Sequence, residues 1–510
     1  MKKTVLCILD GVGLIDKEYG NAFKQANTPN FDYLWNNYPH TKLHASGLEV
    51  GIPDGQMGSS EVGHTNLGAG RIVYQYFVRI NNAIEDGSFF KNEALIGAIN
   101  NCKEKNSNLH ICGNLSDGGV HSHMDHLLAI LDLCKKEDFD RVYIHVLLDG
   151  RDTLPKACMP FIEKLNNKMN SLGIGTIATV GGRYYCMNRD RDWKLTIKAY
   201  NAIVDCESEY SANTIIDAVK NGYDAGLNDE FINPTIIKTT PITNNDSLIL
   251  FNFRSDRMIQ PIRLLTDPNF KEIERKTFLK DLYITTMTEY EDLDYEKKVH
   301  VAFKPIPISN SIGEYLSKLG LKQLRLSEAE KRGHVTFYFS GCNDFIYEGE
   351  DRVIYDKDDV FTYDEKPSMR STEITNTLID AINNKDYSLI VVNYPNGDAL
   401  GHTGVFDKVI EGLEDLDKCL GRVINETNLE DYNLIIVADH GNCEIMLEDD
   451  GTPNKSHTTS LVPFILVNKS YKVKNIIGKL GNVAPTILDL MGIEIPKEMT
   501  CESLINHDWY

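Results

Sequence analysis

Carboxylate and imidazole side chains of the kind that bind divalent metals gather near both ends of this 510-residue chain. Asp398 and His402 are four residues apart, so one helical turn or a tight loop directs both towards one ion. Asp439 and His440 are adjacent after an apolar segment. Mixed carboxylate and imidazole ligation suits manganese or zinc better than calcium, with magnesium as an alternative. The candidate ligands are Asp10, Asp398, His402, Asp439, His440 and His457.

This number of ligands exceeds what one catalytic ion needs. Two divalent ions about 3.5 to 4 Å apart are typical of phosphoryl transfer. Each residue alone has a simpler reading, since a single histidine is more often a hydrogen-bonded residue and Asp-His-Gly can form a turn. The joint pattern therefore predicts a two-metal centre, while the individual assignments stay open.

Ser60 is the candidate nucleophile, in Gly-Gln-Met-Gly-Ser-Ser-Glu-Val-Gly-His at residues 55–64. The segment predicts a loop that enters a helix near Ser60, where free N–H groups and the helix dipole stabilise a phosphate. Contact with a divalent metal would make the hydroxyl acidic enough to attack. The alternative is an N-cap, in which Ser59 or Ser60 only accepts backbone hydrogen bonds.

Arginines in loops after strand-like segments predict a site for a small, doubly anionic substrate, because guanidinium groups bind carboxylate and phosphate in bidentate fashion. Any one of them could equally be a solvated side chain paired with an Asp. Asp152 follows an arginine directly and is the candidate base. The arginines are Arg151, Arg183, Arg189, Arg254 and Arg257.

The glycine-rich loop at 117–123, Asp-Gly-Gly-Val-His-Ser-His, adds imidazole groups to this set. His121 is the candidate substrate contact. A zinc site at His121, His123 and His126 is the weaker alternative, because flexible glycines suit substrate handling better than rigid ligation. Lys331 adds a further positive charge.

These residues must be positioned by short apolar segments that alternate with amphipathic ones, a pattern that predicts a parallel or mixed sheet with helices on both faces. The candidate ligands follow strand ends, where open α/β sheets have their binding crevice. The predicted strands are 4–9, 388–393, 433–438 and 462–467, and the predicted helices are 371–383, 406–426 and 482–491.

The middle of the chain has its own alternation of strands and helices, predicted at 109–113, 141–148, 175–180, 247–253 and 282–287. The length favours two domains. The segment at 303–307 contains two prolines, which favour an extended connector. We therefore predict a discontinuous metal-binding domain, 1–74 with 308–510, that carries the nucleophile and is interrupted by a substrate-binding domain at 75–307.

Composition limits the partners. The net charge of -21 argues against nucleic acid and anionic membranes, which attract basic proteins. Apolar segments stay shorter than the roughly 20 residues that span a bilayer, and Asp10 interrupts the first of them too early for a signal peptide. The 11 scattered cysteines indicate reduced thiols. A monomer in the cytoplasm with a small-molecule substrate is expected.

Five motifs in this order resemble those of the cofactor-independent phosphoglycerate mutases, members of the alkaline phosphatase superfamily. The resemblance implies an α/β fold, an alkaline-phosphatase-like three-layer αβα core with a second inserted α/β domain. It also implies an isomerase that interconverts 3-phosphoglycerate and 2-phosphoglycerate through a phosphoserine at Ser60. The motifs are Leu-Asp-Gly-Val-Gly at 9–13, Gly-Ser-Ser-Glu-Val-Gly-His at 58–64, Asp-Gly-Arg-Asp at 149–152, Ala-Asp-His-Gly-Asn at 438–442 and Ser-His-Thr-Thr at 456–459.

The resemblance also assigns roles, with two Mn²⁺ ions or other divalent metals as cofactors and no 2,3-bisphosphoglycerate. One ion is assigned to Asp398, His402 and His457, and the other to Asp10, Ser60, Asp439 and His440. The expected catalytic residues are Ser60, Asp152 and Lys331. The expected substrate contacts are His121, Arg151, Asp152, Arg183, Arg189, Arg254, Arg257 and Lys331.

The chain departs from the family pattern in two places, Pro395-Asn396-Gly397 and Asn188, and neither removes a ligand. Three rival functions share part of this pattern. A metal-dependent phosphomonoesterase would release inorganic phosphate, and a phosphopentomutase would act on ribose phosphates. A non-catalytic metal-binding protein would be indifferent to the loss of Ser60.

Overall fold

The computed structural model describes residues 2–290 and 299–507. The chain forms two compact units: the first unit is Met1–Gln75 with Pro307–Tyr510, and the second unit is Tyr76–Ile306. The ranges predicted from the sequence were 1–74 with 308–510, and 75–307. Among the described residues, no helix is both long and apolar enough to cross a membrane.

The strands and helices alternate along most of the chain, as expected of an α/β protein. The strands are β1 (Lys3–Leu9), β2 (His40–His44), β3 (Leu109–Leu115), β4 (Val142–Leu148), β5 (Thr176–Gly182), β6 (Tyr210–Ser211), β7 (Thr235–Ile236), β8 (Ser247–Leu250), β9 (Tyr283–Thr288), β10 (Val299–Phe303), β11 (Gln323–Glu328), β12 (Glu350–Tyr355), β13 (Leu389–Tyr394), β14 (Tyr432–Val437), β15 (Val462–Val467) and β16 (Gly478–Lys479). The α-helices are α1 (Ala22–Gln25), α2 (Pro29–Asn37), α3 (Ser60–Ala69), α4 (Tyr76–Glu85), α5 (Glu93–Lys105), α6 (Met124–Lys136), α7 (Cys158–Leu172), α8 (Arg183–Cys186), α9 (Trp193–Tyr200), α10 (Ile215–Asp224), α11 (Ile259–Thr266), α12 (Ile312–Lys318), α13 (Ser371–Asn384), α14 (Asn396–Gly401), α15 (Phe406–Glu426) and α16 (Val483–Met491).

The first unit contains an eight-stranded mixed sheet in the order β12-β11-β13-β1-β14-β15-β2-β16. From β12 to β14 the strands are parallel, and β15 runs antiparallel to both of its neighbours. The residues of β13, β14 and β15 are buried throughout, which explains their continuous apolar sequences. The sheet therefore forms the core of this unit.

Helices cover this sheet in two groups. Helices α13 and α15 pack together, and α13 contacts β11 and β13; α3 and α16 pack together, and α16 contacts β1. The long α15 occupies the predicted range and buries an apolar stripe at helical spacing. Helix α16 begins at Val483, one residue after the predicted start, and ends at Met491 as predicted, with Gly492 as its C-cap at a φ of 69°.

The second unit contains its own eight-stranded sheet, in the order β10-β9-β8-β3-β4-β5-β7-β6. In this order, each of the strands β9, β8, β3, β4 and β5 runs parallel to the next one. The predicted strand 247–253 is too long, since β8 ends at Leu250. The chain leaves the ladder there because the N–H group of Phe253 donates to the carbonyl oxygen of His121 instead.

Candidate functional site

The predicted ligands lie at one edge of the first unit's sheet. Asp10 follows β1 directly, Asp439 follows β14, and Asp398 lies in α14 just after β13. Strands β13, β1 and β14 are parallel neighbours, so their carboxyl ends meet at the same edge. This is the position at which open α/β sheets bind ligands.

Asp398, His402 and His457 form one group whose ligand atoms lie within 4.8 Å of one another. The Oδ1 atom of Asp398 is 3.2 Å from Nε2 of His402 and 3.0 Å from Nε2 of His457. Each Nδ1 atom lies 2.8 Å from a backbone carbonyl oxygen, of Lys455 for His402 and of Gly58 for His457. Because those Nδ1 atoms donate, both Nε2 atoms remain available as ligands.

A second set surrounds the hydroxyl group of Ser60. The Oγ atom of Ser60 lies 2.8 Å from Nε2 of His440 and 3.3 Å from Oδ1 of Asp10. Nε2 of His440 is in turn 3.4 Å from Oδ1 of Asp10 and 3.6 Å from Oδ2 of Asp439. All four of these residues are buried. The serine is therefore held among carboxylate and imidazole groups.

The two sets are not separate in space. Asp10, Asp398 and His440 also form a group whose ligand atoms lie within 4.8 Å of one another. Nε2 of His440 is 3.8 Å from Oδ1 of Asp398, which was assigned to the other ion. The division of ligands between two ions therefore stays a prediction.

Lys331 lies inside this cluster of ligands and belongs to the first unit. Its Nζ atom is 2.6 Å from Oγ of Ser60, 2.9 Å from Oδ1 of Asp10 and 2.7 Å from Oδ2 of Asp398. The side chain is 3% exposed, so its ammonium group contacts these three residues rather than solvent. Lysine and nucleophile are in direct contact.

The electrostatics of the cluster fit divalent cations. Burial would lower the pKa of His440, but the carboxylates of Asp439, Asp10 and Asp398 raise it to about 10. Burial also opposes the charge of Lys331, yet Asp10 and Asp398 hold its pKa above its usual range. Three buried carboxylates thus need positive charge nearby, and bound metal ions would supply it.

The start of α3 brings Ser60 to this cluster. Ser59 is the N-cap and accepts a hydrogen bond from the N–H group of Val62, so Ser60 is the first helical residue. A Cβ atom on Gly63 would lie 2.6 Å from the carbonyl oxygen of Asp439. Glycine is needed at this close approach. The capping role therefore falls to Ser59, which leaves the hydroxyl of Ser60 among the ligands.

Two further residues in the cluster were given no role from the sequence. His64, one turn after Ser60 in α3, has its Nδ1 atom 3.1 Å from Oδ2 of Asp439 and 2.9 Å from the carbonyl oxygen of Ser60. The Nδ2 atom of Asn393 donates to Oδ2 of Asp10 at 2.7 Å and lies 3.1 Å from Nε2 of His64. His64 and Asn393 therefore hold the ligands Asp439 and Asp10. In the sequence, Asn393 could have been noticed as a polar residue within an otherwise apolar strand segment.

Apart from Lys331, the predicted substrate residues lie on the second unit, after the carboxyl ends of β3, β4, β5 and β8. Arg183 is buried and contacts the carboxylates of both Asp149, at 2.7 Å, and Asp152. Arg151 is half exposed, with its Nη1 atom 3.6 Å from Oε1 of Glu230. Asp149 was missed from the sequence, although it directly follows a strand and belongs to the Asp-Gly-Arg-Asp motif.

A second carboxylate, that of Asp256, gathers three other predicted residues. It lies 3.6 Å from Nδ1 of His121, 3.3 Å from Nη1 of Arg189 and 3.1 Å from Nε of Arg254. The two arginine side chains are each 50% exposed, so they remain open to a ligand. Arg257 donates to a backbone carbonyl oxygen at 3.1 Å. Asp256 was also given no role from the sequence.

The alternative zinc site at His121, His123 and His126 does not form a ligand group in the described part of the chain. The rings of His123 and His126 pack against Phe77. Burial and the nearby Arg183 guanidinium lower the pKa of His121 to about 4, so the imidazole is neutral near pH 7. His121 therefore stays the candidate substrate contact.

These observations define a two-unit α/β protein, in which the first unit is interrupted in sequence by the second and carries a serine among metal-type ligands. The family model for "Type I phosphodiesterase / nucleotide pyrophosphatase" matches residues 321–454, and the model for "BPG-independent PGAM N-terminus" matches residues 80–292. The chain belongs to the family of 2,3-bisphosphoglycerate-independent phosphoglycerate mutases, which are isomerases.

Relatives of that name support this along the whole chain. The protein of Clostridium novyi (strain NT) is 47% identical over 511 residues, and that of Clostridium tetani is 46% identical over 512 residues. Both alignments cover 99% of each chain. A phosphoglycerate mutase of Leishmania mexicana, whose crystal structures were determined at low cobalt concentration, is 29% identical with a TM-score of 0.59, covering 99% of this chain and 98% of that one.

The predicted family, fold class and mutase activity are therefore confirmed. The substrate is a small molecule, and the reaction is independent of 2,3-bisphosphoglycerate. Similarity over the full length favours the mutase over the phosphomonoesterase and phosphopentomutase alternatives.

Proposed function

We propose that this enzyme interconverts 3-phosphoglycerate and 2-phosphoglycerate by transferring the phosphoryl group to and from Ser60. The observation that carries this proposal is the position of the Ser60 hydroxyl, within 3.3 Å of Asp10, His440 and Lys331. A serine in such surroundings can lose its proton and attack a phosphorus atom. The positive end of the α3 helix dipole lies at the same point.

Two divalent ions, proposed as Mn²⁺, complete the centre. The donor sets are Asp398, His402 and His457 for one ion, and Asp10, Ser60, Asp439 and His440 for the other. When bound, the ions would supply the positive charge that activates the serine hydroxyl and offsets charge on the phosphoryl group. Imidazole and carboxylate donors suit manganese, and other divalent metals remain compatible with the same donors.

In the first half of the reaction, the Oγ atom of Ser60 forms a bond to phosphorus while the bond between phosphorus and the glycerate oxygen breaks. Lys331, in contact with Oγ, stabilises the negative charge that develops on the group in transfer. Asp152 donates a proton to the departing glycerate oxygen. The products of this half are phosphoserine and bound glycerate.

In the second half, the other glycerate hydroxyl loses its proton to Asp152, and its oxygen forms a bond to phosphorus while the bond between phosphorus and Oγ of Ser60 breaks, which frees Ser60 for the next turnover. The enzyme must hold glycerate between the two halves, and this is the role proposed for His121 and the arginines. Guanidinium groups bind the carboxylate in bidentate fashion, which fixes the molecule while either hydroxyl reacts. The residues are His121, Arg151, Arg183, Arg189, Arg254 and Arg257.

The test is conversion of 3-phosphoglycerate, coupled to enolase, without added 2,3-bisphosphoglycerate. The enzyme should be active with Mn²⁺ and inactive after chelation, and Ser60→Ala should be inactive in both conditions. Ser59→Ala is the matched control and should keep most of the activity, because Ser59 only caps α3. Release of inorganic phosphate in place of mutase activity would favour the phosphomonoesterase instead.

The monomeric state, the cytoplasmic location and the lack of nucleic-acid and membrane partners stay predictions. They remain part of this proposal and can be checked by light scattering and cell fractionation.

A further inference from the structure

Asp149 is a buried carboxylate, 2% exposed, that contacts three residues of the proposed substrate site: Arg151, Asp152 and Arg183. It follows β4 directly and lies beside the ends of β3 and β5, the parallel neighbours of β4. Arg183 begins the helix after β5, and Ser116 follows β3. One carboxylate therefore links the carboxyl ends of three adjacent strands.

Each oxygen of Asp149 has its own partners. Oδ1 accepts from Nη1 of Arg183 at 2.7 Å, from the N–H group of Arg151 at 3.2 Å and from that of Asp152 at 3.0 Å. Oδ2 accepts from Oγ of Ser116 at 2.5 Å and from Nδ2 of Asn114 at 3.1 Å. Oδ1 thus fixes the backbone of the Arg151-Asp152 turn and the Arg183 side chain. Oδ2 holds the Asp149 side chain to the end of β3 through Asn114 and Ser116.

The negative charge of Asp149 pairs with the guanidinium group of Arg183. Nη1 of Arg183 is shared between Asp149 and Asp152, so two carboxylates divide one guanidinium group. Burial would raise the pKa of Asp149, but hydrogen bonds from Ser116 and from the N–H group of Asp152 hold it below its usual range. Without this charge, Arg183 would pair with Asp152 alone and would hold the proposed base more tightly.

We propose that Asp149 is a positioning residue for the mutase reaction, which sets the position and the ion pairing of Asp152 through Arg183 and the Arg151-Asp152 turn. Asp149 does not itself contact substrate. This inference rests on the proposed roles of Asp152 and Arg183.

The informative variant is Asp149→Asn, because it removes the charge and keeps the shape. The amide oxygen can replace Oδ1 and keep its three donors. The new NH₂ group can donate to Asn114 once that amide rotates, since Oδ1 of Asn114 has no hydrogen-bond partner among the described residues. We expect Asp149→Asn to fold.

Asp246→Asn is the matched control. Asp246 is also buried, 1% exposed, and accepts from the N–H groups of Asn108 and Thr243. It precedes β8, at the amino end of its strand, whereas the substrate residues follow the carboxyl ends of the strands. It therefore reports the effect of neutralising a buried carboxylate in the same unit.

The measurements are kcat and KM for 3-phosphoglycerate across pH, with thermal unfolding of each variant. We expect Asp149→Asn to lower kcat about 10- to 100-fold, since small displacements of reacting groups have effects of this size. Because Asp152 acts first as a proton donor, the basic limb of the kcat/KM profile should move to lower pH when Arg183 pairs with Asp152 alone. Asp246→Asn should change neither kcat nor the pH profile.

The inference is wrong if Asp149→Asn keeps the wild-type kcat and pH profile. It is also wrong if the loss of activity in Asp149→Asn is no larger than its lowered unfolding temperature accounts for, judged against Asp246→Asn. Arg183→Ala and Asp152→Asn separate this from failure of the proposed function. If both are inactive while Asp149→Asn is unaffected, only the role of Asp149 fails. If all three keep wild-type kinetics, the proposed substrate site fails and the role of Asp149 fails with it.

Discussion

The ammonium group of Lys331 contacts the hydroxyl group of Ser60, with 2.6 Å between Nζ and Oγ. The family resemblance assigned Lys331 both to the catalytic residues and to the substrate contacts, and its partners are the nucleophile and the carboxylates of Asp10 and Asp398. A fixed positive charge therefore lies beside the atom proposed to receive the phosphoryl group. The consequences of this contact can be measured both in catalysis and in stability.

Lys331→Met should lower kcat about 10²- to 10³-fold, because it removes a charge that faces the group in transfer. In the presence of chelator it should also lower the free energy of unfolding by about 3–5 kcal/mol, since buried carboxylates lose their partner. Lys366→Met, which removes a half-exposed lysine paired with Asp358, is the control and should cost about 0–1 kcal/mol. A Lys331→Met enzyme with normal kcat would refute the catalytic role.

His64→Ala should weaken metal binding, although His64 is not among the predicted ligands and only joins Asp10 and Asp439 in a candidate ligand group. Its Nδ1 atom contacts the carboxylate of Asp439, and residues that orient ligands in this way typically change metal affinity about 10- to 100-fold. The affinity for Mn²⁺ can be measured by titration calorimetry. His334→Ala is the control, because the His334 ring packs near that of His64 yet belongs to no candidate ligand group among the described residues. Equal affinities in the two variants would contradict the role of His64.

His402→Ala tests how the ligands divide between two ions. If His402, His457 and Asp398 hold their own ion, elemental analysis after gel filtration should find about one Mn²⁺ per chain instead of two. The variant should also lose only part of the thermal stabilisation that Mn²⁺ gives the wild-type enzyme, because the second ion stays bound. His507→Ala, at an exposed histidine paired with Asp489, should bind as many ions as the wild type. Loss of both ions on removing His402 would show one shared site.

Glu328 predicts a pH dependence of stability with an unusual sign. Burial raises the pKa of this carboxyl to about 7 from 4.5, assisted by the charges of Asp358 and Glu330. The folded state thus binds the proton more tightly than the unfolded state, so the stability that Glu328 contributes is present below pH 4.5 and is lost as the pH rises towards 7. Glu328→Gln should remove this loss.

At pH 8, Glu328→Gln should therefore be more stable than the wild type, by about 2 to 3 kcal/mol. At pH 4.5 the two proteins should differ little. The hydrogen bond from the N–H group of Arg370 can be kept by the amide oxygen. Denaturant unfolding at both pH values checks this, and a wild type that gains stability over the interval relative to Glu328→Gln would contradict it.

Much of the metal centre could be predicted from the sequence, because local patterns determine it. Apolar segments locate β1, β13 and β14, and the carboxyl ends of parallel neighbours must meet, so Asp10, Asp398 and Asp439 converge. Strand limits were less certain where pairing decides them, as for β8, whose apolar sequence continues after the ladder ends.

Contacts that depend on which strands are neighbours could not be predicted. Asn393 acts on Asp10 across β13 and β1, and Asp149 acts across β3, β4 and β5. Asp256 is close in sequence to Arg254, but its contacts with His121 and Arg189 require the folded loops. The sequence identifies such residues only as carboxylates or amides near strand ends.

The central claim is that Ser60 carries the phosphoryl group during the reaction. The most direct test is to quench the Mn²⁺-loaded enzyme in acid during turnover of 3-phosphoglycerate labelled with ³²P and to map the labelled residue by peptide mass spectrometry. The account predicts label on Ser60, and none on the Ser60→Ala enzyme. Label on another residue, or wild-type turnover by Ser60→Ala, would contradict it.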